Sequence, residues 1–326
     1  MIDRSENKKS ERNLKDMANI TAKDVAELRA KTGIGMMECK KALVEANGDA
    51  EEAIKILRKR GELKAEAKAA TRIAADGIVD VMTDNGVTAI VEVNSETDFV
   101  AKNASFQEFV KNILKTIIAN KPADVDALLA SNYIEGDVTV DAKLKEMIFV
   151  IGEKLSIRRF AVVEGITSTY IHGAGSIGVV VSFAADEAVV AKEEFAAFTK
   201  NIALQIGAFT TPYLDRDSVP ASVLEEEKAI ILAQMANDPK NAGKPQNILE
   251  KMVIGKLGKF YENNCLLDME YFKDDDLTVG KYVEKTAKER GGSIKITGFF
   301  RFEKGEGIQK REENFAEEIA KLTNNQ

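Results

Sequence analysis

The residues whose types and spacing invite a functional reading run Asn94–Ser95–Glu96–Thr97–Asp98–Phe99–Val100–Ala101–Lys102. Before them, Val87, Ala89, Val91 and Val93 alternate with Thr88, Ile90, Glu92 and Asn94, the period of a half-buried strand. After them, Phe106, Phe109, Val110, Ile113, Leu114 and Ile117 recur at helical spacing. Asn94, Ser95, Thr97 and Asp98 are turn and cap formers, so the plain reading is a strand-to-helix connection capped by Thr97 or Asp98. Phe99 resists that reading, because a large apolar side chain stands beside a carboxylate where the connection should face water. Bond-making chemistry has few candidates elsewhere. The single histidine, His172, sits beside glycines in an expected hairpin turn, and no G-x-x-x-x-G-K-[ST] phosphate loop is present. An enzyme is not expected, and neither is a cofactor or a bound metal.

The elements that must position this stretch belong to a chain of 326 residues, 44% hydrophobic and 30% charged, which suits two or three domains with real cores. No run is long and apolar enough to span a membrane. Residues 1–16 are polar with charges of both signs, unlike a signal or transit peptide, and read as a disordered extension before an alternative start at Met17. Cys39 and Cys265 lie too far apart in sequence to suggest a disulfide framework, and a cytoplasmic setting is expected. Residues 1–76 hold 17 basic against 14 acidic residues, while the remainder holds 29 against 39. A mildly basic head thus precedes an acidic body, which argues against broad salt-driven nucleic-acid binding.

In chain order, Thr21 with Asp24 forms a variant capping box, and Val25 and Leu28 precede a break at Gly33–Ile34–Gly35. A second helix is predicted from Met37 to Ala46, and a third from Asp49 to a terminus at Gly61. Three short helices make a small bundle, read either as a docking module or as a solvated cap. Residues 62–76 read as a helical linker. The stretch Lys55–Arg72 carries seven Lys+Arg and two Glu, but no aromatic interleaves to stack on bases, so a solvated face is favoured over an RNA patch. Asp84–Asn85–Gly86 predicts a tight hairpin turn between strands at Gly77–Thr83 and Val87–Asn94. A helix over Asp141–Gly152 and a strand over Ile157–Val163 follow.

The pattern then repeats. Thr169–His172 and Ile177–Phe183 predict a second hairpin, followed by a helix with Phe195, Phe198, Ile202 and Ile206. Val100–Ala101–Lys102 recurs ninety positions on as Val190–Ala191–Lys192, whereas Phe106, Phe109, Lys111, Asn112 and Ile113 recur after eighty-nine. This is an internal duplication of a sheet-plus-helix unit with one residue deleted. At the ninety-residue offset, Thr97–Asp98–Phe99 becomes Glu187–Ala188–Val189, so the Asp-Phe pair belongs to one copy alone. Residues 212–260 break the repeat. Leu224, Lys228, Ile231 and Met235, then Leu249, Met252, Val253, Leu257 and Phe260, trace two narrow stripes around a turn-rich segment, predicting an antiparallel helical hairpin. Leu266–Phe272 and Ile294–Phe302 predict strands and Thr278–Arg290 a helix. A last helix carries Phe315, Ile319 and Leu322 on one side and must dock on the body or on a partner. The fold class is α+β.

With these pieces in place, the chain resembles the bacterial elongation factor Ts family from Met17 onward. ITAKDVAELRAKTGIGMMECKKALVEANGD is similar to the family's N-terminal signature, VNSETDFVAKN to its central Thr-Asp-Phe-Val motif, and YIHGAGSIGVV and TGFFRFEKGEGI to later core segments. The resemblance implies a guanine-nucleotide exchange factor for elongation factor Tu. It implies a three-helix, UBA-like N-terminal domain at 17–61 and a linker at 62–76. Core units follow at 77–155 and at 156–211 with 261–304, then a dimerising hairpin at 212–260 and a C-terminal module at 305–326. By the same resemblance, Thr97, Asp98, Phe99 and Val100 fall on the motif linked to displacing magnesium from Tu, and His172 on a second position that approaches Tu. The helix with Phe315, Ile319 and Leu322 is expected to dock on the partner. An exchange factor binds the nucleotide-free partner more tightly than the loaded one, and that coupling is reciprocal. The competing readings are an RNA-binding accessory protein using the basic head, and a docking adaptor that only oligomerises.

Overall fold

The computed structural model describes residues 20–241 and 244–309, which form a mixed helical and β architecture. The chain falls into two compact units. The first comprises the described parts of Met1–Ile78, Val91–Phe160 and Lys304–Gln326, the second Val79–Ile90 and Ala161–Glu303.

In the first unit, helices α1 (Ala22–Thr32), α2 (Met36–Glu45) and α3 (Ala50–Thr71) pack around Leu28, Cys39, Leu43, Ala53 and Leu57. The capping box at Thr21 is closed in both directions, Thr21 N–H reaching Asp24 Oδ2 at 2.7 Å and Asp24 N–H reaching Thr21 Oγ1 at 3.2 Å. The third helix does not end at Gly61 but continues for ten residues. Gly61 is a packing residue rather than a stop: a Cβ there would lie 3.3 Å from Phe149 Cβ on α7 (Val140–Ile151). The missing side chain lets α3 approach α7 closely, at a cost in helix propensity of about 1 kcal/mol. Helix α5 (Ala104–Asn120) buries Phe106, Phe109, Val110, Ile113, Leu114 and Ile117, as its spacing predicts. Between these lie the single turn α4 (Asp98–Ala101) and the short α6 (Val125–Ala130), which the sequence reading did not anticipate.

Strands β1 (Asp76–Asp84), β2 (Val87–Ser95) and β3 (Ser156–Glu164) form one sheet in that order. The hairpin turn has φ of 47° at Asn85 and 76° at Gly86, the two positive values a tight hairpin needs. One expectation fails here. β2 is buried on both faces from Thr88 to Ser95, not half-buried. Its second face is covered partly by apolar contacts of Ile90 with Val79, Ala161 and Val180, and partly by polar partners. The Glu92 carboxylate accepts from Arg158 Nη1 at 3.0 Å, Arg159 Nε at 2.6 Å, Asn94 Nδ2 at 3.0 Å and the Gly305 amide at 2.8 Å. Glu306 continues the cluster, its Oε2 3.0 Å from Arg159 Nη2. Burial pushes the Glu92 carboxyl up, yet the Gly305 amide, Asn94 and the two guanidiniums outweigh it, so the group ionises below its ordinary range.

In the second unit, β4 (Ile166–His172), β5 (Ile177–Ala185) and β8 (Ile294–Glu303) form an antiparallel sheet in the order β4-β5-β8. Helices α9 (Glu193–Ala208) and α12 (Val279–Glu289) close its core around Val179, Val181, Phe183, Phe195, Phe198, Ile202 and Val283. The single turn α8 (Glu187–Val190) precedes α9. Helices α10 (Ala221–Ala236) and α11 (Gln246–Asn264) form the inserted hairpin. Of its predicted seam Ile231 and Met235 are buried, 3% and 4% exposed, Lys228 is exposed and the rest is half-buried. The strand expected over Leu266–Phe272 shrinks to β6 (Glu270–Tyr271), paired with β7 (Asp274–Thr278). Its first residues turn instead, the Leu266 and Leu267 amides bonding Tyr213 O at 2.9 Å and Leu214 O at 3.0 Å. An apolar run supplies a buried surface but no ladder partner. β7 escaped notice because three successive aspartates are poor strand formers.

The duplication holds at the level of elements, with a shift in where the residue is lost. β2 and β5 begin at Val87 and Ile177, and α5 and α9 at Ala104 and Glu193, offsets of ninety and eighty-nine. The short turns Asp98–Ala101 and Glu187–Val190 already follow the smaller offset. The deletion therefore falls between strand and turn, one step earlier than the Val-Ala-Lys match implies. Val100 pairs with Val189, both buried, while Asp98–Phe99 pairs with Glu187–Ala188. The acid is common to both copies. The aromatic is not.

Candidate functional site

The four motif residues share one short segment of the first unit and divide into two kinds. Val100 is 6% exposed and anchors the turn from inside, and Thr97 is tied down. Asp98 and Phe99 face outward, Phe99 at 76% exposure, the highest among the described large hydrophobic residues. Burying so large a side chain is favourable by ~1.5–3 kcal/mol, so a free protein that leaves it in water forgoes that stabilisation.

What holds this segment is a set of long-range bonds. Thr97 occupies the N-cap position of α4 with extended backbone but makes no side-chain cap bond. Its hydroxyl and amide both go to one carboxylate, Thr97 Oγ1 donating to Glu153 Oε1 at 2.7 Å and Thr97 N–H to Glu153 Oε2 at 3.0 Å. Ser95 Oγ donates to Thr97 O at 2.8 Å. Glu96 accepts from the Lys154 amide at 2.5 Å and from Arg72 Nη1 at 3.0 and 3.1 Å. Asn103 restores a true cap for α5, its Oδ1 accepting from the Ser105 amide at 2.9 Å. Lys102 lies over both exposed side chains, Nζ 3.4 Å from Asp98 Oδ2 and 5.8 Å from the Phe99 ring centre. In so exposed a place these contacts orient rather than stabilise.

His172 lies in the second unit, exposed at the last position of β4. Tyr170 Oη and His172 Nδ1 are 2.9 Å apart, and the rings are tilted by 42°. The Ser176 amide and hydroxyl both donate to His172 O at 3.0 Å, which shapes the turn. Phe315, Ile319 and Leu322 lie outside the described residues. Glu153 was missed by the sequence reading, and the bonds that Glu96 and Arg72 make were not legible in it, since the partners stand 56, 58 and 24 positions apart and no local spacing reports them. The basic stretch of α3 is partly compensated by neighbouring acids: Arg60 lies 2.5 Å from Glu45 and 3.5 Å from Glu38, Lys64 3.5 Å from Glu38, and Lys55 3.0 Å from Glu52. That pairing leaves little basis for the RNA reading. Both cysteines are buried and free, and burial, then Asp268 and Asp215, push the Cys265 thiol up to about 11.

The segment thus combines an aromatic left in water with a turn clamped by long-range bonds. Comparison with known proteins places the chain in a family. The family described as Elongation factor TS matches residues 96–306, a span that begins at the clamped segment and includes His172. The chain is 45% identical over 307 residues to Elongation factor Ts of Syntrophotalea carbinolica, covering 93% of this chain and 99% of the relative. It is 47% identical over 309 residues to that of Clostridium kluyveri, with 93% and 98% covered, and 46% identical over 309 residues to that of Clostridioides difficile, with 94% and 99% covered. The chain belongs to the elongation factor Ts family.

Proposed function

We infer that this protein is a guanine-nucleotide exchange factor for elongation factor Tu, and that it works as a binding protein rather than as a catalyst of a covalent step. Family membership supports the activity. The observation that carries the site is the 76% exposure of Phe99 on a segment whose duplicated counterpart carries Ala188. A copy that needs only to fold manages with a methyl group. Phe99 enters a cleft of Tu, Asp98 takes a hydrogen bond at its edge, and Thr97 and Val100 hold the turn that presents them. The magnesium and phosphate loops of Tu then lose their support, GDP leaves, and GTP reloads. Whatever factor in GDP affinity the protein removes, GDP removes from the protein's own affinity for Tu.

The finer assignments belong to the same proposal. His172 makes a second contact with Tu, and the helix with Phe315, Ile319 and Leu322 docks on its nucleotide-binding domain. The N-terminal bundle at 17–61 is the docking domain and 62–76 its linker. The two core units take 77–155 and 156–211 with 261–304, followed by the module at 305–326. The hairpin at 212–260 mediates self-association, supported by Ile230, Leu232, Ile248 and Ile254, which are exposed on it. No helix among the described residues is long and apolar enough to cross a membrane, which fits a cytoplasmic setting. The deciding experiment is release of labelled GDP from elongation factor Tu with and without this protein. Acceleration at substoichiometric amounts is expected, and an unchanged release rate would overturn the reading.

A further inference from the structure

We propose that Glu153 is a positioning residue for exchange: it fixes the direction in which Phe99 is presented, acting through Thr97. The proposal rests on the function inferred above.

The segment that carries Phe99 cannot hold itself. Asp98–Ala101 is one helical turn, far below the length at which a helix is stable alone. A short turn of this kind ordinarily relies on its N-cap side chain, yet Thr97 makes no such bond. Glu153 replaces the cap from a distance. One carboxylate accepts from the Thr97 hydroxyl at 2.7 Å and from the Thr97 amide at 3.0 Å, while Ser95 Oγ donates to the Thr97 carbonyl at 2.8 Å. All three polar groups of Thr97 are therefore directed, two of them by charge-assisted bonds. Two residues further on stands Phe99. The neighbouring position is fixed reciprocally, Glu96 accepting from the Lys154 amide at 2.5 Å and Lys154 Nζ donating to Arg72 O at 2.7 Å.

The second copy supplies the comparison. Asp186 occupies the matching cap position and likewise makes no cap bond within its own turn, its carboxylate accepting from the Ser293 amide at 2.7 Å. There the carboxylate belongs to the cap residue itself and the turn presents only Ala188. In the first copy the carboxylate is remote, and the turn it aims bears the aromatic. Glu153 sits on the connection between α7 and β3, just beyond the helix end that Gly152 closes. Among the described residues both donors to its carboxylate belong to Thr97.

The test is GDP release from elongation factor Tu, titrated with the protein to separate maximal acceleration from half-saturating concentration. Loss of two charge-assisted bonds should lower the maximal acceleration by roughly tenfold in Glu153→Ala, since ~1.4 kcal/mol is a factor of ten. Half-saturation should move less. Glu153→Gln, which keeps an acceptor for one donor, should recover part of the loss, and being isosteric it serves if the alanine variant folds poorly. Because Glu153 acts through the mount of Phe99, combining either variant with Phe99→Ala should add no further loss. A wild-type rate for both Glu153 variants, or an equal loss in the Phe99→Ala background, overturns the proposal. A wild-type protein that fails to accelerate GDP release refutes the exchange reading itself, and a fully active Phe99→Ala refutes the aromatic; the Glu153 proposal falls with either.

Discussion

Phe99 and its neighbour Val100 differ by one position and by opposite surroundings, so truncation should affect different measurements. Phe99→Ala removes a side chain that touches water, and its effect on folding should stay within ~0.5 kcal/mol. As an interface aromatic it should cost ~2 kcal/mol or more of complex stability, roughly thirtyfold in an equilibrium constant. Val100→Ala and Val189→Ala, both in cores, should each lower folding stability by about 2 kcal/mol. Thermal unfolding and GDP release on the three variants decide the matter; a destabilised Phe99→Ala would place that ring in a core. The sequence made Phe99 conspicuous because an aromatic in a cap-forming connection breaks a local rule. It could not reveal Glu153, whose role exists only after residues 56 positions apart meet. It also misplaced the deletion between the copies. Val-Ala-Lys matched letters at the ninety-residue offset, whereas burial follows the other register, and burial is what folding conserves between copies.

At the scale of elements, long amphipathic helices and tight hairpins were legible and exceptions came from glycine and charge. α5 was readable because its apolar face is buried along its length. Gly61 misled because the same residue that ends helices also lets two helices touch, and only the facing Phe149 distinguishes these uses. Gly61→Leu should therefore destabilise the first unit by ~1–3 kcal/mol through overpacking, although leucine is the better helix former. Denaturant unfolding checks this, and a more stable variant would show that α3 and α7 have room between them. β2 misled for a different reason. A charged residue in a strand is normally assigned to solvent, and Glu92 is completely buried, matched by two arginines that lie far ahead in sequence.

For the whole molecule, that buried carboxylate makes a pH prediction. The folded-state pKa of Glu92 lies below its ordinary value, so its contribution is fully present above the unfolded value near 4.5 and is lost as pH falls through the lower folded value. Glu92→Gln should flatten the acid limb of the melting profile and cost about 3 kcal/mol at neutral pH, because Arg158 and Arg159 lose their charged partner. An unaltered acid limb would assign acid sensitivity to other carboxylates. The inserted hairpin gives a second whole-molecule expectation. Replacing Asp217–Phe260 by a tight turn should weaken self-association and leave exchange of the monomer intact, with sedimentation as the check. A truncated protein with the same oligomeric state would remove that role from the hairpin.

Under the docking role proposed for the N-terminal bundle, the continuity of α3 has a consequence for how a partner is chosen. At about 1.5 Å per residue its 22 residues make a rod of roughly 33 Å. One end packs within the bundle. At the other, Lys68 bonds Gly152 O and Arg72 bonds Glu96, beside the exposed aromatic. Two contact surfaces joined by a loose tether act through an effective local concentration, and either can hold while the other searches. Joined by a rod, they arrive together at one spacing. A partner whose two surfaces match that spacing gains both contacts with little ordering entropy to lose, and one that does not match cannot keep the first while seeking the second.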